Sequence, residues 1–240
     1  MGKSTTAVNL GACIAKLGKP VLLIDIDPQG NATSGVGFTK NKLEYSIYNV
    51  LIDGVDIEKA ILPTATENLS VLPANIDLAG AEIELVSMIS RESRLKKVLN
   101  DIDFDYEYIL IDCPPSLGLL TLNALTAADK IIVPIQCEYY ALEGLGQLIK
   151  TINLVQNNLN PDLQIEGVLL TMYDARTNLS QQVIDEVKNY FQDKVYETII
   201  PRNVRLSEAP SFGQPIITYD PNSKGAIAYM ALAKEVTNNE

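Results

Sequence analysis

The chain has 240 residues, 47% hydrophobic and 20% charged, with a net charge of −11 and no histidine. The length fits one large domain around a single core, and the apolar share argues against disorder. The missing histidine removes imidazole acid–base chemistry and every His-containing triad, while the acidic balance opposes global contact with nucleic acid, so any DNA binding would have to come from a local basic patch, which dimerisation would double.

Taken in chain order, the pattern predicts a helix over Lys3–Leu17, with Gly18 as its C′ residue. A buried strand over Val21–Asp27 follows, then strands over Leu69–Leu72, Tyr108–Asp112 and Lys130–Ile135. In the segment Leu142–Val155 the apolar residues Leu142, Leu145, Leu148, Ile149, Ile152 and Val155 recur at spacings of three and four, one buried helical stripe. Next come a strand over Ile165–Thr171 and a helix carrying Val183, Ile184, Val187, Tyr190 and Phe191 with Ser180 as its N-cap. Strands over Val195–Ile200 and Ile216–Tyr219 and a last helix over about Ala226–Val236 complete the chain. Alternation of short apolar runs with amphipathic segments predicts parallel strands joined by crossover helices. No repeat, low-complexity tract or linker divides the chain, so one domain should span residues 1–240. No apolar run is long enough to span a bilayer, and residues 1–20 lack the pattern of a signal peptide. Cys13, Cys113 and Cys137 are far apart and set in apolar runs, which reads as reduced core cysteines rather than a disulfide framework or zinc site.

Three motifs carry chemistry. Gly2-Lys3-Ser4-Thr5 opens the first helix and matches the second half of a phosphate-binding loop. There the helix N-terminus offers unpaired N–H groups, Lys3 reaches the β/γ-phosphates, Ser4 holds Mg²⁺ and Thr5 touches the α-phosphate. On its own the tetrapeptide is equally a plain helix start, and Met-Gly-x-x-x-Thr also fits an N-myristoylation pattern that the sequence context opposes. Asp25-Ile26-Asp27-Pro28-Gln29-Gly30 ends the first strand with two acids at i and i+2, expected on one side of the strand at the ligand-binding end of the sheet. Two close acids are costly unless a cation or water uses them. Tyr108–Asp112 is an apolar strand ending in an acid, the Walker B arrangement, with Asp112 expected at Mg²⁺. Cys113-Pro114-Pro115-Ser116 then makes a stiff loop.

Together the stretches GKSTTAVNLGACIAKLGKPVLLIDIDPQGNATSGVG, YILIDCPPSLGLLTLNAL, IPRNVRLSEAPSFGQPI and YDPNSKGAIAY resemble the ParA/Soj partition ATPases of the MinD superclass, over essentially the whole chain. The resemblance implies an α/β P-loop ATPase with a twisted, mostly parallel sheet and helices on both faces. It implies ATP and Mg²⁺ as cofactors, an ATP-dependent homodimer, non-specific DNA binding and a ParB-like partner that triggers hydrolysis. The setting would be cytoplasmic and nucleoid-associated. Lys3, Ser4 and Thr5 match the retained phosphate-loop positions and Asp27 the acid that positions the attacking water, so Lys3 and Asp27 are the catalytic candidates. Asp25 and Asp112 match acids around Mg²⁺, with Ser4 and Asp112 as the metal residues. Gly2, Met172, Pro201 and Asn203 join the nucleotide-binding set, the last three in segments that hold adenine and ribose. Arg176 and Arg205 match DNA-binding positions, with Lys224 a weaker member of the same patch; on composition alone these are ordinary solvated cations.

The sequence departs from the family at its start. The family's first strand, the glycine half of its phosphate loop and its signature lysine have no counterpart before Gly2, and Met1 stands where the family has Val. The expectation drawn from this is a misplaced start codon and a sheet lacking its first strand. Three other readings compete. A MinD-like membrane switch would need a basic amphipathic tail, whereas Ala233–Glu240 is short and acidic. An iron protein would need bridging cysteines, which Cys113 and Cys137 do not supply. A non-catalytic remnant is the third.

Overall fold

The computed structural model describes residues 2–100, 102, 105–138 and 141–238, with only the backbone for 141–145. In chain order the elements are α1 (Lys3–Lys16), β1 (Val21–Asp25), α2 (Asn31–Gly35), α3 (Ile57–Ala60), β2 (Leu62–Pro63), β3 (Leu69–Leu72), α4 (Leu78–Val86), α5 (Arg94–Asn100), β4 (Tyr108–Asp112) and α6 (Leu119–Ala127). Then follow β5 (Lys130–Gln136), α7 (Ala141–Asn158), β6 (Gln164–Thr171), α8 (Asn178–Phe191), α9 (Val204–Glu208), α10 (Ile216–Tyr219) and α11 (Lys224–Asn238).

β1 lies between β3 and β4 and is parallel to both; the short β2 closes the outer edge antiparallel to β3. Period-two alternation sends Val21 and Leu23 into one core, with α1 and α11, and Leu22 and Ile24 into another, with α4 and α6. Helices therefore cover both faces, as a sheet of continuous apolar strands requires. The sheet itself is divided. β5 and β6 pair with each other in parallel and form a separate two-stranded unit beside the four-stranded one. Among the described residues no strand joins β4 to β5. α1 spans the division instead, because Leu169 of β6 and Ile132 of β5 share the α1 core with Val21 and Leu23.

Four expectations change in detail. Strand β1 stops at Asp25, and Ile26 and Asp27 lie beyond it, although the Ile26 N–H still reaches the Asp112 carbonyl. Val195–Ile200 runs beside β6 without becoming a ladder strand. Tyr196 and Ile200 donate to Val168 and Leu170, but the Glu235 carboxylate takes the intervening N–H groups of Glu197 and Thr198. Ile216–Tyr219 is one helical turn, not a strand, because Pro215 precedes it and Asn9 Oδ1 accepts from the Ile216 N–H. Thr177, not Ser180, caps α8, accepting from the Ser180 N–H. In α7, Ile152 and Val155 are buried and Leu148 and Ile149 pack against the β5–β6 core, while the side chains of Leu142 and Leu145 lie outside the described residues. Cys13 and Cys137 are buried thiols and Cys113 is partly so, all unpaired.

Candidate nucleotide site

The site is built where α1 begins and β1 and β4 end. Gly2 caps α1 at φ 92°, in the left-handed region that glycine enters without strain. No side chain caps this terminus and no acid stands in its first turn, so the N–H groups and the positive end of the helix dipole are left for an outside anion. Gly2 also adjoins Thr171, the last residue of β6, so α1 starts between the two sheet units. Farther along the same helix, the Thr6 hydroxyl meets the Tyr229 hydroxyl at 3.2 Å and Asn9 holds Ile216. These bonds tie α1 to the C-terminal segment.

Asp25 and Asp112 are register partners on neighbouring strands. Asp25 is fully buried and its oxygens are engaged. Oδ2 accepts from both the backbone N–H and the hydroxyl of Thr33, each at 2.7 Å, and Oδ1 accepts from the Asp27 N–H. Burial pushes its pKa up to about 6, against the lowering effect of the Thr33 bonds. Of the i, i+2 expectation for Asp25 and Asp27, the strand's end is what changes, for both acids lie near Asp112. Asp27 sits past the strand end, held by its own N–H on Asp25, and its carboxylate accepts from the Gln29 N–H.

Asp112 is buried as well, yet neither of its oxygens has a hydrogen-bond partner of ordinary geometry among the described residues. Its pKa rises to about 7, first through burial and then through the neighbouring Asp25 and Asp27. The nearby Ser4 hydroxyl and the Lys3 charge act the other way. A buried carboxylate left in this state calls for a cation, and Ser4 supplies a second oxygen beside it. No group of three or more His, Cys, Asp or Glu residues is poised to hold a metal among the described residues. Mg²⁺ takes one or two protein oxygens and completes its shell with phosphate and water, a demand that Asp112 and Ser4 fit. Lys3, Ser4, Asp25, Asp27 and Asp112 are thus brought together.

Met172, Pro201 and Asn203 form a second group at the end of β6. Tyr173 pairs with Pro201, so the two segments run side by side, and Met172 adopts the left-handed conformation, φ 55°, uncommon for a side-chain-bearing residue. Asn203 caps α9 by accepting from the Arg205 N–H. The basic candidates are less free than their charge implies. Arg176 makes a two-pronged pair with Asp174, and Arg205 pairs with Glu208 and Asp220. Leu206 packs against Gly225, the chain neighbours of Arg205 and Lys224, and both cations are exposed. Thr33 escaped the sequence reading: no spacing rule marks it, and its role needs the Asp25 and Ala74 positions in space.

The AAA domain family matches residues 1–165. The sporulation initiation inhibitor protein Soj of Bacillus subtilis is 66% identical over 239 residues, covering all of this chain and 94% of that protein. The chromosome partitioning protein ParA of Myxococcus xanthus is 54% identical over 240 residues, covering all of this chain and 85% of that protein. The chain belongs to the Soj/ParA family of chromosome-partitioning ATPases. Among solved structures, the cobyrinic acid a,c-diamide synthase of Mycobacterium smegmatis, with bound ATP analogue and magnesium, shares the fold. It matches at a TM-score of 0.87 and 42% identity, over 99% of this chain and 90% of that one. The fold is that of a P-loop ATPase, and ATP and Mg²⁺ are the cofactors that go with it. No described helix is long and apolar enough to cross a membrane.

Proposed function

We propose that this single-domain ATPase, residues 1–240, is an ATP-dependent switch for partitioning chromosomes or plasmids. ATP closes a homodimer, the dimer binds DNA without sequence preference, and a ParB-like partner stimulates the hydrolysis that releases it. The place of action is the nucleoid. The observation that carries the reading is Asp112, buried with neither oxygen in a hydrogen bond of ordinary geometry among the described residues, beside Ser4 and Lys3 at the open end of α1. Mg²⁺ bound there would neutralise phosphate charge, a large part of phosphoryl-transfer catalysis. The open end of α1 and Lys3 hold the phosphates, with Gly2 and Thr5 at its backbone. Asp25 fixes the loop that presents Asp27, and Asp27 orients the attacking water. The paired segments at Met172, Pro201 and Asn203 receive the base and ribose. Arg176, Arg205 and Lys224 supply the DNA patch.

The test is Asp27→Ala. The variant should bind ATP with Mg²⁺ as the parent does, lose hydrolysis and remain on DNA as a dimer. Hydrolysis at the parent rate would remove Asp27 from the mechanism. Loss of Mg²⁺-dependent ATP binding would show instead that Asp27 holds the nucleotide.

A further inference from the structure

Helix α4 has two apolar faces, and only one of them is used. Leu78, Ala81 and Leu85 are buried in the core against α6 and β1. On another face Ile76, Ala79, Ile83 and Val86 are exposed, the three large ones at 62%, 78% and 57%. Ile76 lies in the turn that leads into the helix, where the Ala79 N–H donates to its carbonyl. The spacings of three, four and three residues are those of a coiled-coil seam with β-branched side chains at both a positions, Ile76 and Ile83. An exposed aliphatic row of this regularity marks an interaction surface more than chance exposure does.

The borders of the row identify what it fits. Asp77 and Glu84 are the exposed charged residues within α4 and its leading turn, and the third, Glu82, is half-buried with its carboxylate turned toward Gly118. The cation at its C-terminal end, Arg91, is already engaged by the Val86 carbonyl and by Glu92. A second copy laid antiparallel on this seam would set acid against acid, in a chain already carrying −11. We propose that the outer face of α4 docks an amphipathic helix of a partner protein, with aliphatic residues on its seam and Lys or Arg along its flanks. The surface is independent of the nucleotide assignments above, but it is not remote from them. The Glu82 carboxylate lies against Gly118, and Gly118 ends the loop that follows Asp112. A helix seated on α4 therefore sits one side chain away from the loop at the head of β4.

The probe is a fluorescent synthetic peptide about three heptads long, with Leu at a and d and Lys at e and g. A control peptide of the same composition has its heptad order scrambled. The full chain should bind the ordered peptide at least about tenfold more tightly than the scrambled one, and Ile83→Ser with Val86→Ser should lose about tenfold or more. Both sites are exposed, so the double variant should melt within a few degrees of the parent. Glu84→Gln should weaken binding and flatten its salt dependence. Equal binding of ordered and scrambled peptides, equal binding by parent and double variant, or no binding of the ordered peptide overturns the proposal. Self-association of the parent in light scattering that Ile83→Ser abolishes would also overturn it, by giving the seam to a second copy.

Discussion

Strands β1 and β4 are near-copies: Val21-Leu22-Leu23-Ile24-Asp25 beside Tyr108-Ile109-Leu110-Ile111-Asp112, paired residue for residue. Their surroundings differ at every level. β1 is paired on both edges and buried along its whole length. β4 pairs with β1 on one edge, and Ile109 is 40% exposed. The terminal acids differ in the same way. Asp25 engages its oxygens with Thr33 and Asp27, whereas neither oxygen of Asp112 has a partner of ordinary geometry among the described residues, the Ser4 hydroxyl lying nearby. The same five-residue pattern thus yields an acid with both oxygens engaged in one strand and, in the next, the acid proposed above for Mg²⁺. Identity of sequence fixes the strand, and the neighbours decide what its last residue does.

The largest expected effect separates the strands themselves. Leu22→Ala or Leu23→Ala should destabilise the protein by about 2–5 kcal/mol, since each opens a cavity in a closed core. Ile109→Ala should lose about 1 kcal/mol or less, because part of its surface is already in water. Urea unfolding midpoints compare the two. Equal losses would mean that the outer edge of β4 is covered in solution and that the contrast with β1 is false.

A smaller effect should separate the acids. Thr33→Val keeps the shape but removes the hydroxyl that donates to Asp25 and accepts from the buried Ala74 N–H. Leaving those groups unpartnered should cost about 1–3 kcal/mol, and Thr33→Ser should recover most of it. If Val and Ser variants unfold at the same urea concentration, Asp25 is not held in the way its geometry indicates.

Much of this was legible in the sequence. Continuous apolar runs bounded by acids gave β1, β3 and β4 within two residues, and period-3.6 stripes gave α1, α7, α8 and α11. Legibility failed where a distant group overrides local pattern. Ile216–Tyr219 has strand composition, yet Asn9, far away in the chain, caps it as a helical turn. Val195–Ile200 alternates well enough for a strand, yet Glu235 intercepts its N–H groups. At the site the motifs placed Lys3, Ser4, Asp25, Asp27 and Asp112 together. They could not show that Asp25 and Asp112 differ in their free oxygens, because that depends on Thr33, eight residues after Asp25, folding back onto it.

The contrast between a spent acid and a free one has its counterpart among the cations, with the smallest expected effects. Arg176 is proposed for DNA, but Asp174 grips its guanidinium through two bonds of 2.8 and 2.6 Å. The Arg176 pairing holds the Asp174 carboxyl below the usual carboxylate range. The Arg176 side chain lies in water while that of Asp174 is largely covered; with one partner fully solvated the pair contributes little to folding, and Arg176→Ala should leave the melting temperature within a few degrees of the parent. On DNA the signs should split. Arg176→Ala should weaken ATP-dependent binding and lower the salt slope by about 1, the loss of one phosphate contact. Asp174→Asn keeps an oxygen for the Arg176 N–H but releases the guanidinium, so binding should strengthen by roughly a few-fold at low salt. A purely structural pair would give losses in both variants, because each breaks the same contact. Opposite signs, measured by DNA anisotropy across a salt series, require that the arginine works on phosphate and that the aspartate competes for it. Matching losses would remove Arg176 from the DNA patch and leave that role to Arg205 and Lys224.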